Sequence, residues 1–328
     1  MDTILVLIHT EADGSVAKAA LEVVETARTL GPFEVGLVGA AIDASGLAQC
    51  GATRFLAVEG AAFASARYST DAAAAEALCR ASGATLVLAA GTSRWMRCLA
   101  GVAQRLNGRI DTHVVGIESG PKITRWYYRQ RIETTLDRAE RPWFVVLESG
   151  IAAPYSGAPG TTAVERIDVD VKPRTEVTGL ESPRTGEQTI RPEANLLFVA
   201  GAGWTKKQKD GQVHVEDAAE LILGIVNRAQ ASLGSSKSLV DLSGEGQAVL
   251  PFLSHLNQVG QTGSTPRHPK GLATCCHGEE PHVVGWRFIK ERRAVNLDAN
   301  CGWARGKADV LYVADAFEVV RELSKRLA

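Results

Sequence analysis

The first 120 residues alternate between short apolar runs and alanine-rich stretches, and this alternation is the strongest constraint on the fold. The runs have the length of buried strands, and apolar residues recur at helical spacing in the stretches between them. Strands are predicted at 4–8, 33–38, 55–58, 85–89 and 113–117, and helices at 15–30, 71–81 and 93–106 with Ser15, Asp71 and Ser93 as N-caps. Strands that alternate with helices form a parallel α/β sheet.

Further strands follow with no helical pattern between them. Residues 123–128 and 132–136 have the pattern of an antiparallel pair, and 143–147 is another apolar run. We therefore predict a mostly parallel α/β sheet with antiparallel additions, which could be one mixed sheet. The turn after the first strand lacks the spaced glycines that bring backbone close to a pyrophosphate, so we assign this half no cofactor.

The composition changes between about Gly150 and Arg191, where proline, glycine, threonine and alternating charge predict an interdomain segment. A second α/β unit follows this segment. Its predicted elements are a strand at 195–203 ending in glycines, a helix at 215–231, strands at 282–286, 294–297 and 310–313, and a closing helix at 316–327. The sequence thus predicts an N-terminal α/β domain, residues 1–190 with the segment 150–190 at its end, and a C-terminal domain, residues 191–328.

Charge and hydropathy exclude several classes of partner. Lysine plus arginine number 36 against 37 acidic residues, so the net charge of -1 gives no field that attracts nucleic acid or anionic lipid. No apolar run approaches the roughly 18 residues of a membrane span. No basic residue precedes the first apolar run, as a secretory signal would require. We expect a cytoplasmic protein without nucleic-acid binding or membrane insertion.

The six cysteines include no Cys-x-x-Cys pair. Disulfides are rare in reducing compartments, so these residues are predicted to be buried small hydrophobes. The neighbours Cys275, Cys276 and His277 suggest a metal, but adjacent cysteines chelate poorly and no second cluster exists, so we expect no metal site.

One motif stands out in the second half. A Gln-Thr pair lies between two glycines in 257–263, and His282 follows about twenty residues later. Glycines let backbone approach a flat ligand, and the amide and hydroxyl can bond it. This half resembles the α subunit of electron-transfer flavoproteins, whose second domain carries Gln-Val-Gly-Gln-Thr-Gly, matched here by 258–263. The family's loop Ile-Ser-Gly-Ala-Ile-Gln-His falls without a gap on 276–282, where Gly278 and His282 coincide.

The register of this resemblance holds beyond the motif. The family's Gly-Ala-Ser-Arg falls on 234–237, its Ala-Ile-Asn-Lys-Asp on 294–298, and its Ala-Asp-Leu-Phe-x-Val-Val, after one inserted residue, on 314–320. The first half follows the family only in the order of its strands and helices. The resemblance implies that the C-terminal domain is doubly wound and binds FAD.

The resemblance also implies roles for the matched residues. Thr262 would lie near flavin N5, and His282 near N1 and the C2 carbonyl, where it would stabilise the negative charge of one-electron reduction. Gln261 and Ser236 would bond ring or phosphate oxygens, and Asn296 and Asp315 the adenosine and ribitol or ribose. The implied cofactor-binding residues are Ser236, Val259, Gly260, Gln261, Thr262, His277, Gly278, His282, Asn296 and Asp315, with no catalytic residue.

Structural explanations compete with several of these roles. Thr262 could close a turn, Asn296 could end a strand, and Asp315 suits a helix N-cap regardless of any ligand. The chain also departs from the family after the second domain's first strand, where the usual Gly-Gly-Arg-Gly would place an arginine over the flavin. Here Trp204 follows Gly203, so Trp204 would cover that side of the ring or the potential would be lower.

The leading functional hypothesis is a redox carrier without substrate turnover of its own. As a divergent electron-transfer flavoprotein α-type subunit, it would bind FAD, pair with a β-type subunit and receive electrons from a flavin-dependent dehydrogenase. Two alternatives remain open. One is a flavoenzyme that oxidises a small substrate, with His268, Glu279 or Glu280 as its base. The other is a structural subunit that has lost FAD.

Overall fold

The chain divides into two compact units, residues 1–180 (unit 1) and 181–328 (unit 2). The computed structural model describes residues 2–127, 132–173, 175–179, 190–191, 194–241, 248–260, 266–274, 286 and 289–327, without the side chain of Trp303.

Unit 1 is built on a nine-stranded sheet in the order β7-β6-β5-β8-β4-β1-β2-β3-β9. Its strands are β1 Ile4–His9, β2 Phe33–Gly39, β3 Arg54–Glu59, β4 Leu86–Ala90, β5 Arg109–Glu118, β6 Lys122–Tyr127, β7 Ile132–Leu136, β8 Trp143–Leu147 and β9 Glu165–Arg166. The hairpin of β6 and β7 pairs antiparallel with β5, and the other pairings are parallel. The prediction of one mixed sheet is confirmed.

Helices cover both faces of this sheet. They are α1 Lys18–Leu30, α2 Tyr68–Ser82 and α3 Ser93–Arg105. Side chains alternate along each strand, so Val6 and Ile8 pack with α1 while Leu5 and Leu7 pack with α2 and α3. A strand buried on both faces reads as a continuous apolar run, which is why the sequence predicts these strands well.

The three predicted N-caps are wrong. Helix α1 begins after Ala17 and α2 after Arg67, neither with a side-chain cap, and the hydroxyl that accepts from the α3 backbone belongs to Thr92. Asp71 lies inside α2, where its buried carboxylate pairs with Arg94 at 2.7 Å. This buried pairing with a helix 23 residues further on has no local sequence signal.

The predicted interdomain segment begins later than its composition suggests. Tyr155 N donates to Leu21 O at 3.0 Å, and Tyr155 is buried in the α1 face of unit 1. Further along, Ile167 N donates to Ala57 O at 2.8 Å as β9 pairs with β3. The structure thus places residues 151–171 with unit 1, since their hydrogen bonds are made to its sheet and helices.

His9, at the carboxyl end of β1, makes the stability of unit 1 depend on pH. Burial, assisted by Arg94, lowers the pKa of His9 to about 4, although Asp71 opposes the shift. The unfolded chain takes up the proton near pH 6.5, so stability is lost as pH falls from there towards 4, at a slope approaching about 1.4 kcal/mol per pH unit. We expect His9→Gln to flatten this slope in urea unfolding between pH 7.5 and 5. An unchanged slope would contradict a neutral, half-buried His9 in the folded state.

Unit 2 is a parallel sheet of five strands in the order β11-β10-β12-β13-β14. Its strands are β10 Leu196–Ala200, β11 Ser232–Ser235, β12 Lys270–Thr274, β13 Glu291–Asn296 and β14 Val310–Val313, and its helices are α4 Val215–Arg228, α5 Lys237–Asp241, α6 Gly302–Lys307 and α7 Ala316–Arg326. Helices α4 and α7 pack on one face, and Ala304 of α6 packs on the other. The doubly wound α/β prediction is confirmed.

Two strands of unit 2 have no counterpart in the predicted elements. Both β11 and β12 contain a glycine against which a large side chain packs, Val259 on Gly234 and Trp286 on Gly271. Such glycines weaken the apolar run by which a strand is recognised. The strand predicted at 282–286 has residues 282–285 outside the described part of the chain, and Trp286 is helical.

The described cysteines behave as predicted. Cys50, Cys79, Cys98 and Cys301 are buried free thiols, and burial raises the pKa of Cys79 and of Cys98 to about 12. Cys275 and Cys276 lie outside the described residues. Within the described ranges, no group of three or more His, Cys, Asp or Glu side chains is arranged to hold a metal. No helix of the described chain has the length and apolar character to cross a membrane.

Candidate functional site

The strand order of unit 2 has a switch point between β10 and β12, which predicts a crevice at their carboxyl ends. The chain moves from β10 outward to β11, then returns past β10 to β12 and continues to β13 and β14. The connections after β10 and β12 therefore leave towards opposite sides, and open α/β sheets bind ligands at such a switch point. Five predicted site residues lie at this carboxyl edge: Ser236, Val259, Gly260, Asn296 and Asp315.

Val259 and Gly260 are held along the edge of β11. Val259 N donates to Ser235 O at 3.0 Å, and Gln258 bridges to Ser235 in parallel. Gly260 has φ +84°, a conformation that a side chain disfavours. The segment therefore lies close to the sheet as it enters the predicted Gln-Thr motif.

The other half of the predicted set cannot be placed. Gln261, Thr262, His277, Gly278 and His282 lie outside the described residues, as do Glu279 and Glu280. Their roles remain predictions from the resemblance.

Asn296 is the last residue of β13 and is fully buried. Its Oδ1 accepts from Asp298 N at 2.8 Å, which leaves the amide nitrogen free to donate. Within the described residues, Nδ2 has no hydrogen-bond partner. A buried donor without an acceptor costs about 1–3 kcal/mol, so this position suits an acceptor that the described residues do not supply.

Asp315 has a sufficient structural explanation. Its Oδ1 accepts from Phe317 N at 2.8 Å and from Glu318 N at 3.4 Å, so it caps α7. Ala314 N donates to Asn296 O at 3.2 Å, which brings the start of α7 beside the end of β13. The position suits a ligand contact, but the cap explains the residue without one.

Ser236 and Lys237 begin the short helix α5. Ser236 Oγ is buried and accepts from Leu239 N at 3.3 Å. Lys237, at the family's arginine position, pairs with Asp241 one turn later. Hydrogen bonds from Lys237 and His255 lower the pKa of Asp241. The ammonium of Lys237 is thus paired with a carboxylate of its own helix.

Trp204 is a core residue and is not available to cover the flavin ring. It is fully buried, its indole lies 4.5 Å from the ring of Phe317, and its Nε1 donates to Thr274 Oγ1 at 2.8 Å. Its neighbours are core residues on the α4 and α7 face of the sheet. The expectation that it takes the arginine's place over the ring is corrected, because its side chain is a core element.

The position of His268 excludes it as the base of the alternative flavoenzyme. It precedes β12 and is buried at the amino edge of the sheet, where Nε2 lies 2.8 Å from Ser232 Oγ and 3.0 Å from Arg191 O. The five residues of β12 separate it from the carboxyl edge by about 17 Å, at about 3.3 Å per residue. A base must reach its substrate, and this imidazole is on the far side.

Two residues at the carboxyl edge were not singled out from the sequence. Thr274 ends β12, and its hydroxyl lies between Trp204 Nε1 and Val199 O. Ser235 Oγ is buried without a partner among the described residues. Both belong to strands that the sequence pattern does not predict. A strand prediction for Lys270–Thr274 would have placed Thr274 at the carboxyl edge.

Comparison with known proteins agrees with this architecture. The family model described as "Electron transfer flavoprotein domain" matches residues 4–172. An electron transfer flavoprotein subunit alpha of Syntrophomonas wolfei is 27% identical over 333 residues, covering 97% of this chain and 96% of that protein.

Two eukaryotic relatives match over shorter lengths. A probable mitochondrial electron transfer flavoprotein subunit alpha of Schizosaccharomyces pombe is 26% identical over 234 residues, 69% of this chain and 63% of that protein. A mitochondrial electron transfer flavoprotein subunit alpha of Oryza sativa subsp. japonica is 32% identical over 142 residues, 43% of this chain and 35% of that protein. With the family model spanning just over half its residues, the chain belongs to the electron transfer flavoprotein family and is an alpha-type member of it.

Proposed function

We propose that this chain is the FAD-binding subunit of a two-subunit electron carrier. It would pair with a β-type subunit, receive electrons from a flavin-dependent dehydrogenase and deliver them to a downstream acceptor without substrate turnover of its own. Family membership supports the redox role, and the subunit names of the relatives support a partner chain.

The unsatisfied donor of Asn296 carries the assignment of a cofactor to unit 2. Its Nδ2 is buried at the carboxyl edge without a partner among the described residues, while its Oδ1 is already used by Asp298 N. A cofactor rich in acceptor oxygens and ring nitrogens would supply what is missing. The residues present therefore fit FAD.

The described residues would hold the cofactor by backbone and small side chains. Val259 and Gly260 present backbone along the edge of β11, and Ser236 lies at the end of that strand. Asn296 would donate from β13, two strands beyond β10. FAD, when bound, supplies the ability to take up two electrons and release them singly. The resemblance assigns the ring end to Gln261, Thr262, His277, Gly278 and His282.

The cofactor assignment is tested by removing the amide donor while keeping the acceptor. In the purified two-subunit complex, Asn296→Asp retains Oδ1 for Asp298 N and replaces the donor with a second oxygen. We expect the dissociation constant for FAD to rise by at least about tenfold, because a buried hydrogen bond is lost and the carboxylate places a negative charge beside the cofactor's acceptor. Fluorescence titration of the flavin-depleted complex measures it.

A neighbouring residue provides the control. Asn300 is exposed in the loop after β13, so Asn300→Asp should leave FAD affinity unchanged. Wild-type complex without flavin would reject the carrier and favour a structural subunit. Dithionite titration separates the remaining alternatives: a one-electron-reduced flavin at half reduction supports the carrier, whereas rapid oxidation of a small substrate without a dehydrogenase supports an enzyme.

A further inference from the structure

Three hydrogen bonds converge on Thr274, the last residue of β12. Trp204 Nε1 donates to its hydroxyl at 2.8 Å, the hydroxyl donates to Val199 O at 2.8 Å, and Gly201 N donates to its carbonyl at 3.0 Å. Both side chains are fully buried. The hydroxyl thus works as acceptor and donor at once, which fixes its rotamer.

We infer that Trp204 and Thr274 form a positioning pair that holds the carboxyl ends of β10 and β12 at a set spacing and thereby shapes the cofactor crevice. The inference rests on the proposed function, since it assumes that the crevice holds FAD. It names two residues that act through the backbone of the site and do not touch the cofactor.

The register shows why the pair acts indirectly. Thr274 lies in one row with Ala200 and Val295, whose side chains pack on the α4 and α7 face. Asn296 follows Val295 and therefore points to the opposite face, because side chains alternate along a strand. The pair sits beneath the sheet, on the side away from the Asn296 amide.

The pair joins the two connections that border the switch point. Trp204 belongs to the turn Ala202–Thr205, which directly follows β10, and Gly201 begins that connection. Thr274 is the residue from which the chain leaves β12 towards the matched Gly278 and His282. A change in the Trp204 to Thr274 contact would therefore shift both walls of the crevice together.

The chemistry of the two side chains requires them to stay paired. A buried indole N–H needs an acceptor, and the described surroundings of Trp204 are otherwise apolar side chains. The Thr274 hydroxyl supplies that acceptor while satisfying its own proton on Val199 O.

The test uses the two-subunit complex with bound FAD. Thr274→Val keeps the side-chain volume and removes both hydroxyl bonds, and Thr274→Ser keeps the hydroxyl. We expect Thr274→Val to raise the dissociation constant for FAD about tenfold, because the ends of β10 and β12 would no longer be held at the spacing that FAD requires. The fraction of one-electron-reduced flavin at half reduction should change with it. Thr274→Ser should leave the dissociation constant and the fraction of one-electron-reduced flavin as in the wild type.

A second variant and a stability control complete the test. Trp204→Phe removes the N–H, and combining it with Thr274→Val should weaken FAD binding no further than the stronger single change, because both remove one contact. Ile222→Val trims the same core away from the crevice and should lower Tm without altering the flavin.

The outcomes separate this inference from the proposed function. If Thr274→Val and Trp204→Phe lower Tm but leave FAD affinity and reduction behaviour as in the wild type, the pair is only structural and the inference is overturned. If Thr274→Val fails to fold, Trp204→Phe decides on the same two readouts. A wild-type complex without flavin overturns the proposed function itself, and the inference with it.

Discussion

We expect replacement of Asp111 with alanine to lower the free energy of unfolding of unit 1 by about 3–5 kcal/mol, because it removes one partner of a buried ion pair. Asp111 is buried in β5, where it pairs with Arg125 at 2.7 Å and with Arg138, and it accepts from Trp143 Nε1 at 2.9 Å. Burial alone would raise the pKa of this carboxyl, but the hydrogen bonds from Arg138, Trp143 and Arg125 together lower it.

Urea unfolding followed by near-ultraviolet circular dichroism measures this loss. Asp111→Asn keeps the shape and one acceptor, so its loss should fall between those of alanine and wild type. Glu118→Ala changes an exposed carboxylate at the end of the same strand and should cost less than about 0.5 kcal/mol. If Asp111→Ala lost no more than Glu118→Ala, the cluster would not stabilise unit 1.

The cluster around Asp111 also marks the limit of local sequence patterns. The apolar run 143–147 predicts the strand that begins with Trp143, and the run 113–117 predicts the second half of β5, which begins two residues after Asp111. The pairing of Asp111 with Arg125 and Arg138 depends on which strands become neighbours. Strand order arises from long-range packing, so the sequence pattern predicts β5 but not what its carboxylate contacts.

The sequence does not predict two strands of unit 2, β11 and β12, because they lack a continuous apolar run. In β11 and β12 small residues make room for neighbours, so Gly234 and Gly271 carry packing information that has no apolar period. The motifs that carry the resemblance lie in this unit, whereas the family model matches residues 4–172. The apolar runs of unit 1 predict its strands but contain no short motif that indicates a family.

The resemblance assigns Ser236 and Asn296 to the cofactor site, and their contacts with a cofactor remain predictions. The structure adds that both residues lie at the carboxyl edge of the sheet. The same reasoning put Trp204 over the ring and left His268 as a possible base, and both are corrected. The edge of a sheet at which a residue lies depends on where its strand begins. The sequence pattern does not predict β12, so it could not show that His268 lies at the amino edge.

We expect a methyl group introduced at Gly234 to destabilise unit 2 by about 3 kcal/mol, the upper range for overpacking a core. A Cβ at this position would lie 2.5 Å from Val259 Cγ2 and 3.2 Å from Leu197 Cδ1. Val259 is tied to β11 through Ser235 O, so it can move only by pulling away from the strand edge. Gly234→Ala should therefore also weaken FAD binding, because Gly260 follows Val259 into the motif.

A compensating change tests whether the destabilisation comes from the contact with Val259 or would follow from alanine at this position in any case. Val259→Ala removes the colliding Cγ2, so the double variant Gly234→Ala with Val259→Ala should be more stable than Gly234→Ala alone, although Val259→Ala by itself is destabilising. Gly224 in α4 provides the matched control, since a Cβ there meets nothing within 4 Å. Gly224→Ala should raise stability by about 0.5–1 kcal/mol. If the double variant were no more stable than Gly234→Ala, Val259 would not be the residue that requires a glycine in β11.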